Sequence, residues 1–229
     1  MAVTNTDVNQ QQGTGNTISV RKNKKEYFTF LQAVLMIILT IAISTGGWYV
    51  IGKKFIWTGL DRKRVNEQLE FLQKKVEAEP KNNEYRTALG YTWFLKGEND
   101  KAVREFNQVL EVDKNYYDAR YNLGLVLADE ARFDDALDQF QKCIELAPKD
   151  YKGYMQKGIV YRKMKMYKEA VEMLDKATAM IPGKADVIYE LGRVLEDMGE
   201  KKNAADIYKE ALALDPLYKD AAEGLRRVQ

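Results

Sequence analysis

Two kinds of hydrophobic pattern divide the chain. Residues 27–52 form one continuous, mostly apolar run without a charged residue, and basic residues flank it on both sides. From residue 61 onwards, apolar residues recur every three or four positions among charged ones, which is the spacing of helices that bury one face. The sequence therefore predicts one long apolar helix followed by a series of amphipathic helices.

The apolar run is long enough to cross a membrane. Its 26 residues would span about 39 Å as a helix, against roughly 30 Å for the hydrocarbon core of a bilayer. Aromatic residues such as Tyr27 and Trp48 mark its two ends, as is typical of membrane interfaces. A cleaved signal peptide is disfavoured, because its apolar region is shorter and ends at a small-residue cleavage site. We expect residues 27–52 to be a retained transmembrane helix.

The orientation of this helix depends on the basic residues around it. Those that precede and follow the helix nearly balance, but the cluster from Arg21 to Lys25 lies directly before it. Such a cluster favours a cytoplasmic N-terminus, which places the C-terminal domain outside the cytoplasm. Residues 1–26 are polar with a basic end, and their composition predicts a disordered tail.

The amphipathic part of the chain repeats every 34 residues. Glycine returns at this period within stretches that are otherwise helical, where it costs about 1 kcal/mol relative to alanine. With the glycines at position 8, alanine occupies position 20 in every frame, a large apolar or aromatic residue occupies position 24, and proline occupies position 32 in all but the first. The four glycines are Gly90, Gly124, Gly158 and Gly192. We expect each glycine to allow two helices to cross closely, with the alanine of position 20 facing it.

This pattern resembles the tetratricopeptide repeat family, whose 34-residue signature is W-x2-L-G-x2-Y, then A-x3-F, then P. The resemblance covers Asn83 to Tyr218 and implies an all-α superhelix of four helix pairs, with helix A at positions 1–14 and helix B at positions 15–28. We place the repeats at 83–116, 117–150, 151–184 and 185–218. A juxtamembrane linker and capping helix would occupy 53–82, and a C-terminal capping helix would occupy 219–229.

The resemblance also implies a binding site, because helix A residues of this family line a concave groove. The predicted partner-binding groove consists of aromatic, apolar and basic side chains at these positions: Tyr91, Phe94, Tyr121, Leu125, Met155, Ile159, Arg162, Tyr189 and Arg193. Aromatic anchors with a polar rim are typical of protein interfaces. In an alternative interpretation, part of this strip packs against neighbouring helices A.

One binding mode of the family is disfavoured by the first repeat. The members that bind a C-terminal carboxylate carry lysine at position 5 and asparagine at position 9, whereas this chain has Thr87 and Tyr91 there. The partner of this chain is therefore expected to be recognised in another way.

Composition argues against catalysis. The chain has no histidine and one cysteine, so it lacks the commonest general base and metal ligand and has no internal disulfide. No glycine-rich phosphate loop or zinc-binding spacing is present, and Cys143 falls where the family takes a small core residue. We predict no enzyme activity, no cofactor and no metal site. The net charge of +2 also gives no indication of nucleic-acid binding.

The expected function is that of a membrane-tethered adaptor that holds a protein or peptide partner in its groove. Such a scaffold would support assembly of a membrane or envelope complex. The alternative is a self-associating array, in which the groove binds neighbouring copies and the protein forms a homo-oligomer.

Overall fold

The computed structural model describes residues 58–229, which form α-helices joined by short turns, without a β-strand in that part of the chain. In chain order the helices are α1 Thr58–Ala78, α2 Asn83–Leu95, α3 Asn99–Val112, α4 Tyr117–Asp129, α5 Phe133–Leu146, α6 Tyr151–Lys163, α7 Tyr167–Met180, α8 Ala185–Asp197, α9 Lys201–Leu214 and α10 Lys219–Val228.

The predicted tail at 1–26, the predicted transmembrane helix at 27–52 and the first residues of the 53–82 segment lie outside the described residues. Among the helices of residues 58–229, none combines the length and the apolar character that crossing a membrane requires.

Helices α2 to α9 form four helix pairs that follow the 34-residue period. Helix A of each pair occupies positions 1–13 and helix B occupies positions 17–30. Each helix B packs on its own helix A and on the helix A that follows it, and successive helices A also contact each other, as α2 does with α4 and α6 with α8. The predicted all-α arrangement of helix pairs is confirmed. Helix B, however, begins two residues later than predicted.

The backbone of position 15 explains the late start of helix B. This residue has a positive φ in every repeat: 80° at Gly97, 57° at Ala131, 61° at Lys165 and 83° at Gly199. The amide of position 16 then donates to the carbonyl of position 11, as Arg132 does to Leu127 at 2.9 Å. This is the hydrogen bond of the Schellman motif, which ends a helix. Helix A therefore stops before position 15, and a new helix starts only beyond it.

The glycine at position 8 packs against the side chain at position 24. A Cβ added to Gly124 would lie 2.7 Å from Cε1 of Phe140, well inside normal van der Waals contact. The same relation joins Gly90 to Phe106, Gly158 to Leu174 and Gly192 to Tyr208. The alanine of position 20 is also close in the third repeat, where the carbonyl oxygen of Ala170 would lie 3.2 Å from a Cβ on Gly158. The alanines are completely buried, as Ala136 is, but the position-24 side chain lies nearest to the glycine.

Helices α1 and α10 cover the two ends of the repeat array. Helix α1 buries Leu69 and Leu72 against Leu89 of α2. At the other end, Gly224 of α10 also lies against Tyr208, because a Cβ there would be 2.7 Å from the Cζ atom of that ring. The Tyr208 side chain is thus held between the glycines of α8 and α10 and is completely buried.

A polar contact fastens the C-terminal end as well. The Tyr208 hydroxyl donates to Glu196 at 2.5 Å, and the Arg227 guanidinium donates to both oxygens of the same carboxylate at 2.8 and 2.9 Å. The hydrogen bond from Arg227 is the main reason why the pKa of Glu196 is lowered. Because Glu196 belongs to α8 and Arg227 to α10, this contact stabilises the terminal helix on the last repeat.

Replacing Lys165 by glycine is expected to raise the free energy of unfolding by about 1 kcal/mol, because a left-handed backbone costs a residue with a Cβ atom roughly that much. The Lys165 side chain is exposed, so the substitution removes no packing. Urea denaturation measures the change. The control is Lys176→Gly, the same substitution within α7, which should lower the free energy of unfolding by about 1 kcal/mol. A loss of stability in both variants would contradict this explanation.

Candidate peptide-binding site

The helices A of the four pairs present positions 2, 5, 9 and 12 on one side, because these positions are three or four residues apart. We call this surface, made by α2, α4, α6 and α8, the helix A face. All the residues of the predicted groove belong to it. Their surroundings differ from one end of the array to the other.

The first part of the helix A face contains a depression of about 320 Å³ between α2 and α4. Its lining includes Glu84, Thr87, Tyr91, Tyr116, Asp118 and Asn122. Tyr91 is 41% exposed, and its ring centroid is 6.3 Å from that of Phe94. Phe94 is half-buried and packs against the hydrophobic core of the first two repeats. Of the predicted groove residues, Tyr91 therefore has the most accessible large side chain in this region.

Tyr121 lies in the second repeat and is largely enclosed. Its ring stacks on Tyr117 at a centroid distance of 6.1 Å and meets the edge of Phe140 at 5.9 Å. Its hydroxyl accepts a hydrogen bond from Gln156 of the next helix A at 3.2 Å. Burial raises the pKa of the Tyr121 hydroxyl to about 12. Tyr121 thus links the core of its own repeat to the third repeat.

The apolar residues in the middle of the predicted groove are half-buried. Leu125 packs against the core of the first two repeats, and Met155 packs against the core of the last two. Ile159 is also half-buried. These side chains therefore give part of their surface to the packing of the array.

Arg162 forms an ion pair between the third and fourth repeats. It is only 8% exposed, although its position in the repeat predicted a groove residue. Its Nη1 atom is 2.7 Å from Asp197 Oδ2, and its Nε atom is 3.8 Å from Glu190 Oε2. Both carboxylates belong to α8. The guanidinium therefore joins α6 to α8.

Tyr189 and Arg193 of α8 lie beside the ion pair that Arg162 forms with Glu190. Arg193 lies 3.4 Å from Glu190 and places its guanidinium 5.8 Å from the centroid of the Tyr189 ring. Tyr189 is half-buried between Tyr208 and Tyr218. Burial raises the pKa of Glu190, and the two arginines oppose this shift. A buried carboxylate between two guanidinium groups makes this end of the face a charged contact between helices.

Several residues around these sites were not predicted. Tyr116 and Asn122 line the depression, and Glu190 is the carboxylate that Arg162 and Arg193 share. Asn122 and Glu190 both occupy position 6, one helical turn beyond position 2, so the helical period contains a signal for them. Tyr116 precedes helix A and had no such signal.

Cys143 and the groups of acidic residues are further candidates for a chemical site within residues 58–229. Cys143 is 1% exposed, and burial raises the pKa of its thiol to about 12. It therefore packs as a core residue, as predicted. In residues 58–229 no three side chains of the types that bind metal ions are grouped together.

Arg162→Ala is expected to lower the free energy of unfolding by about 2 kcal/mol, because it removes a charged hydrogen bond to Asp197 and one of the two guanidinium groups beside Glu190. Thermal or urea denaturation of the purified variant measures the loss. Arg132→Ala is the matched control. It removes an exposed pair with Asp135 and should cost at most about 1 kcal/mol. Equal stability of the Arg162→Ala variant and the unmodified protein would indicate a side chain free in the groove.

Family models match four segments of the chain. A model described as TPR repeat matches residues 90–130, and models described as tetratricopeptide repeat match 117–150, 151–184 and 185–216. Together the matches extend from residue 90 to residue 216, more than half of the chain. No curated protein matches the chain at a significant level.

Solved structures share the fold. TTC0263, a thermophilic TPR protein in Thermus thermophilus, is 17% identical with a TM-score of 0.66, over 75% of this chain and 93% of its own. MamA 41-end from Desulfovibrio magneticus RS-1 is 24% identical with a TM-score of 0.59, over 69% and 90%. YrrB, described as a TPR protein with an unusual peptide-binding site, is 22% identical with a TM-score of 0.56, over 72% and 86%. With its four repeats matched by family models and its helix pairs arranged alike, the chain belongs to the tetratricopeptide repeat family of protein-binding scaffolds.

Proposed function

We propose that this protein is a membrane-tethered adaptor that binds a protein or peptide partner on its helix A face. The observation that carries the proposal is the depression between α2 and α4, beside which Tyr91 is 41% exposed. An aromatic side chain at the edge of a recess is the type of residue that contributes most to protein interfaces. The charged residues around the recess supply the polar rim that such interfaces have.

In this proposal, the remaining predicted residues support the binding surface and do not contact the partner directly. Tyr121, Leu125 and Met155 are half-buried and keep the helix A face rigid through their core contacts. A preformed surface loses little conformational entropy when a partner binds. Binding by the first two repeats and stabilisation by the last two is therefore the division of roles that we propose. The likeness to YrrB supports the fold on which a peptide site can be built.

The membrane tether is proposed from the apolar sequence of residues 27–52. A tether confines the repeat domain to a thin layer beside the bilayer, where the effective concentration of membrane-bound partners is high. A partner that binds weakly to the helix A face can then occupy it for a large fraction of the time. This property suits a scaffold for the assembly of a membrane or envelope complex.

The binding site is tested with peptides selected on the full-length protein in detergent from a random peptide library. Tyr91→Ala should weaken binding of the selected peptides about thirtyfold, the loss expected for an interface hot spot. Fluorescence anisotropy of labelled peptides measures the affinity. The matched control is Phe71→Ala, which removes an exposed aromatic ring from α1 and should leave affinity unchanged.

Two results would contradict the binding proposal. Equal affinities for the Tyr91→Ala variant and the unmodified protein would place the partner on another surface. Light scattering that finds oligomers at rising concentration, and monomers after Tyr91→Ala, would favour the self-associating array instead.

The tether and its orientation are tested with a cysteine at position 217, because Leu217 is 87% exposed and the native Cys143 is buried. We expect a membrane-impermeant maleimide to label the Leu217→Cys variant in intact spheroplasts of a bacterial host, and the protein to stay in the membrane after an alkaline carbonate wash. Labelling only after lysis would show the opposite orientation. Release by carbonate would contradict the tether.

A further inference from the structure

The depression between α2 and α4 has two carboxylates on its lining, and neither forms an ion pair within residues 58–229. Glu84 lies in the first turn of α2 and Asp118 in the first turn of α4, and both are exposed. Within residues 58–229 neither carboxylate has an ion pair. Two carboxylates on one recess attract a cation.

The basic residues nearest in sequence are engaged elsewhere. Arg86 of α2 pairs with Glu105 of α3 at 2.8 Å. Arg120 of α4 donates to Gln139 of α5 at 3.1 Å and to the carbonyl of Lys114 at 2.7 Å. Both arginines therefore interact with helices B or with the preceding loop, and neither pairs with a carboxylate of the depression.

Tyrosine rings form the other walls of the depression. Tyr91 and Tyr116 both line it, and the faces of tyrosine rings attract ammonium and guanidinium groups at distances up to about 6 Å. The pKa of the Tyr116 hydroxyl is raised, first by burial and then by the charges of Asp118 and Glu84. The negative field of the two carboxylates thus reaches the aromatic wall.

Thr87 adds a hydrogen-bonding group that has no partner. Its side chain lines the same depression and is only 7% exposed, and its Oγ1 atom makes no hydrogen bond within the described part of the chain. The other buried threonine, Thr92, donates to the carbonyl four residues earlier at 2.8 Å, which is the ordinary solution for a helical threonine. The Oγ1 atom is itself buried, so a bound group could reach this hydroxyl only if the wall of the recess moved.

We propose that this depression receives the lysine or arginine side chain of a partner peptide, with Glu84 and Asp118 as its counter-charges and Tyr91 and Tyr116 as its walls. The occupant follows from charge complementarity and from the size of the recess, since about 320 Å³ admits one long side chain and not a folded element. This inference rests on the proposed function, because it names what the helix A face selects. The cationic group would meet two carboxylates and two aromatic rings.

The test compares peptide selections on the full-length protein and on its Glu84→Gln, Asp118→Asn double variant. Peptides selected on the unmodified protein should be enriched in lysine and arginine, and the double variant should lose this enrichment. In the selected peptides, replacing the basic residue by norleucine should weaken binding about tenfold to the unmodified protein and less than about twofold to the double variant. Binding should also weaken as salt is raised.

The control is the Asp100→Asn, Asp134→Asn double variant. It removes two carboxylates from the first turns of α3 and α5, both exposed, so it matches the loss of charge and of helix-terminus interaction without altering the depression. It should retain the enrichment. The thermal stability of every variant is measured first, so that a loss of binding is not mistaken for a loss of folding.

Each outcome has one meaning. A norleucine effect of the same size on the double variant and on the unmodified protein would overturn the assignment of the site. Selected peptides without a basic preference would overturn the inference and leave the adaptor function intact. A failure to select any peptide would overturn both.

Discussion

In each repeat, a bulky side chain of helix B lies against the bare backbone of a glycine in helix A. Phe140 on Gly124 is the clearest case, because any Cβ at the glycine would occupy the space of the ring. This contact sets how closely the two helices approach, and the approach determines where the next pair can pack. The cost of a glycine within a helix is offset by dense packing at the crossing. The same principle forms the C-terminal end, where Tyr208 fits between glycines of two helices.

The packing of the repeats depends on the core positions, whereas the sign and the number of charged residues on the helix A face differ from one repeat to the next. Helix α6 carries only basic charges, and α8 is rich in acidic ones. Their meeting produces the buried contact of Arg162 with Glu190 and Asp197. In the first two repeats the arginines turn towards helices B, and the carboxylates at position 2 stay unpaired. The helix A face therefore has an internal ion-pair cluster between its third and fourth repeats, whereas Glu84 and Asp118 in the first two repeats have no ion pair.

The helix pairs were predicted well from the sequence, because the 34-residue period and the positions of glycine and proline depend on the local requirements of a helix. The sequence did not predict which side chain lies nearest to each glycine or where helix B begins. The side chain of position 24 lies nearest to the glycine, and helix B starts later because position 15 has a left-handed backbone even at Ala131 and Lys165. For the candidate site, Tyr91 was predicted and is accessible. The position of Arg162 on the helix is as predicted, but its burial was not.

By itself, the sequence determined the repeat family, the number of helix pairs and the side of each helix A that its positions 2, 5, 9 and 12 share, because helical periodicity relates residues only three and four places apart. It also supplied the apolar segment from which a membrane tether is proposed. The tertiary structure alone decided which of those side chains stay accessible. Arg162 and Asp197 are 35 residues apart in the chain, and Glu84 and Asp118 lie on different helices that meet only when the repeats stack. Burial and charge pairing at such distances depend on how neighbouring repeats pack, which no local pattern contains.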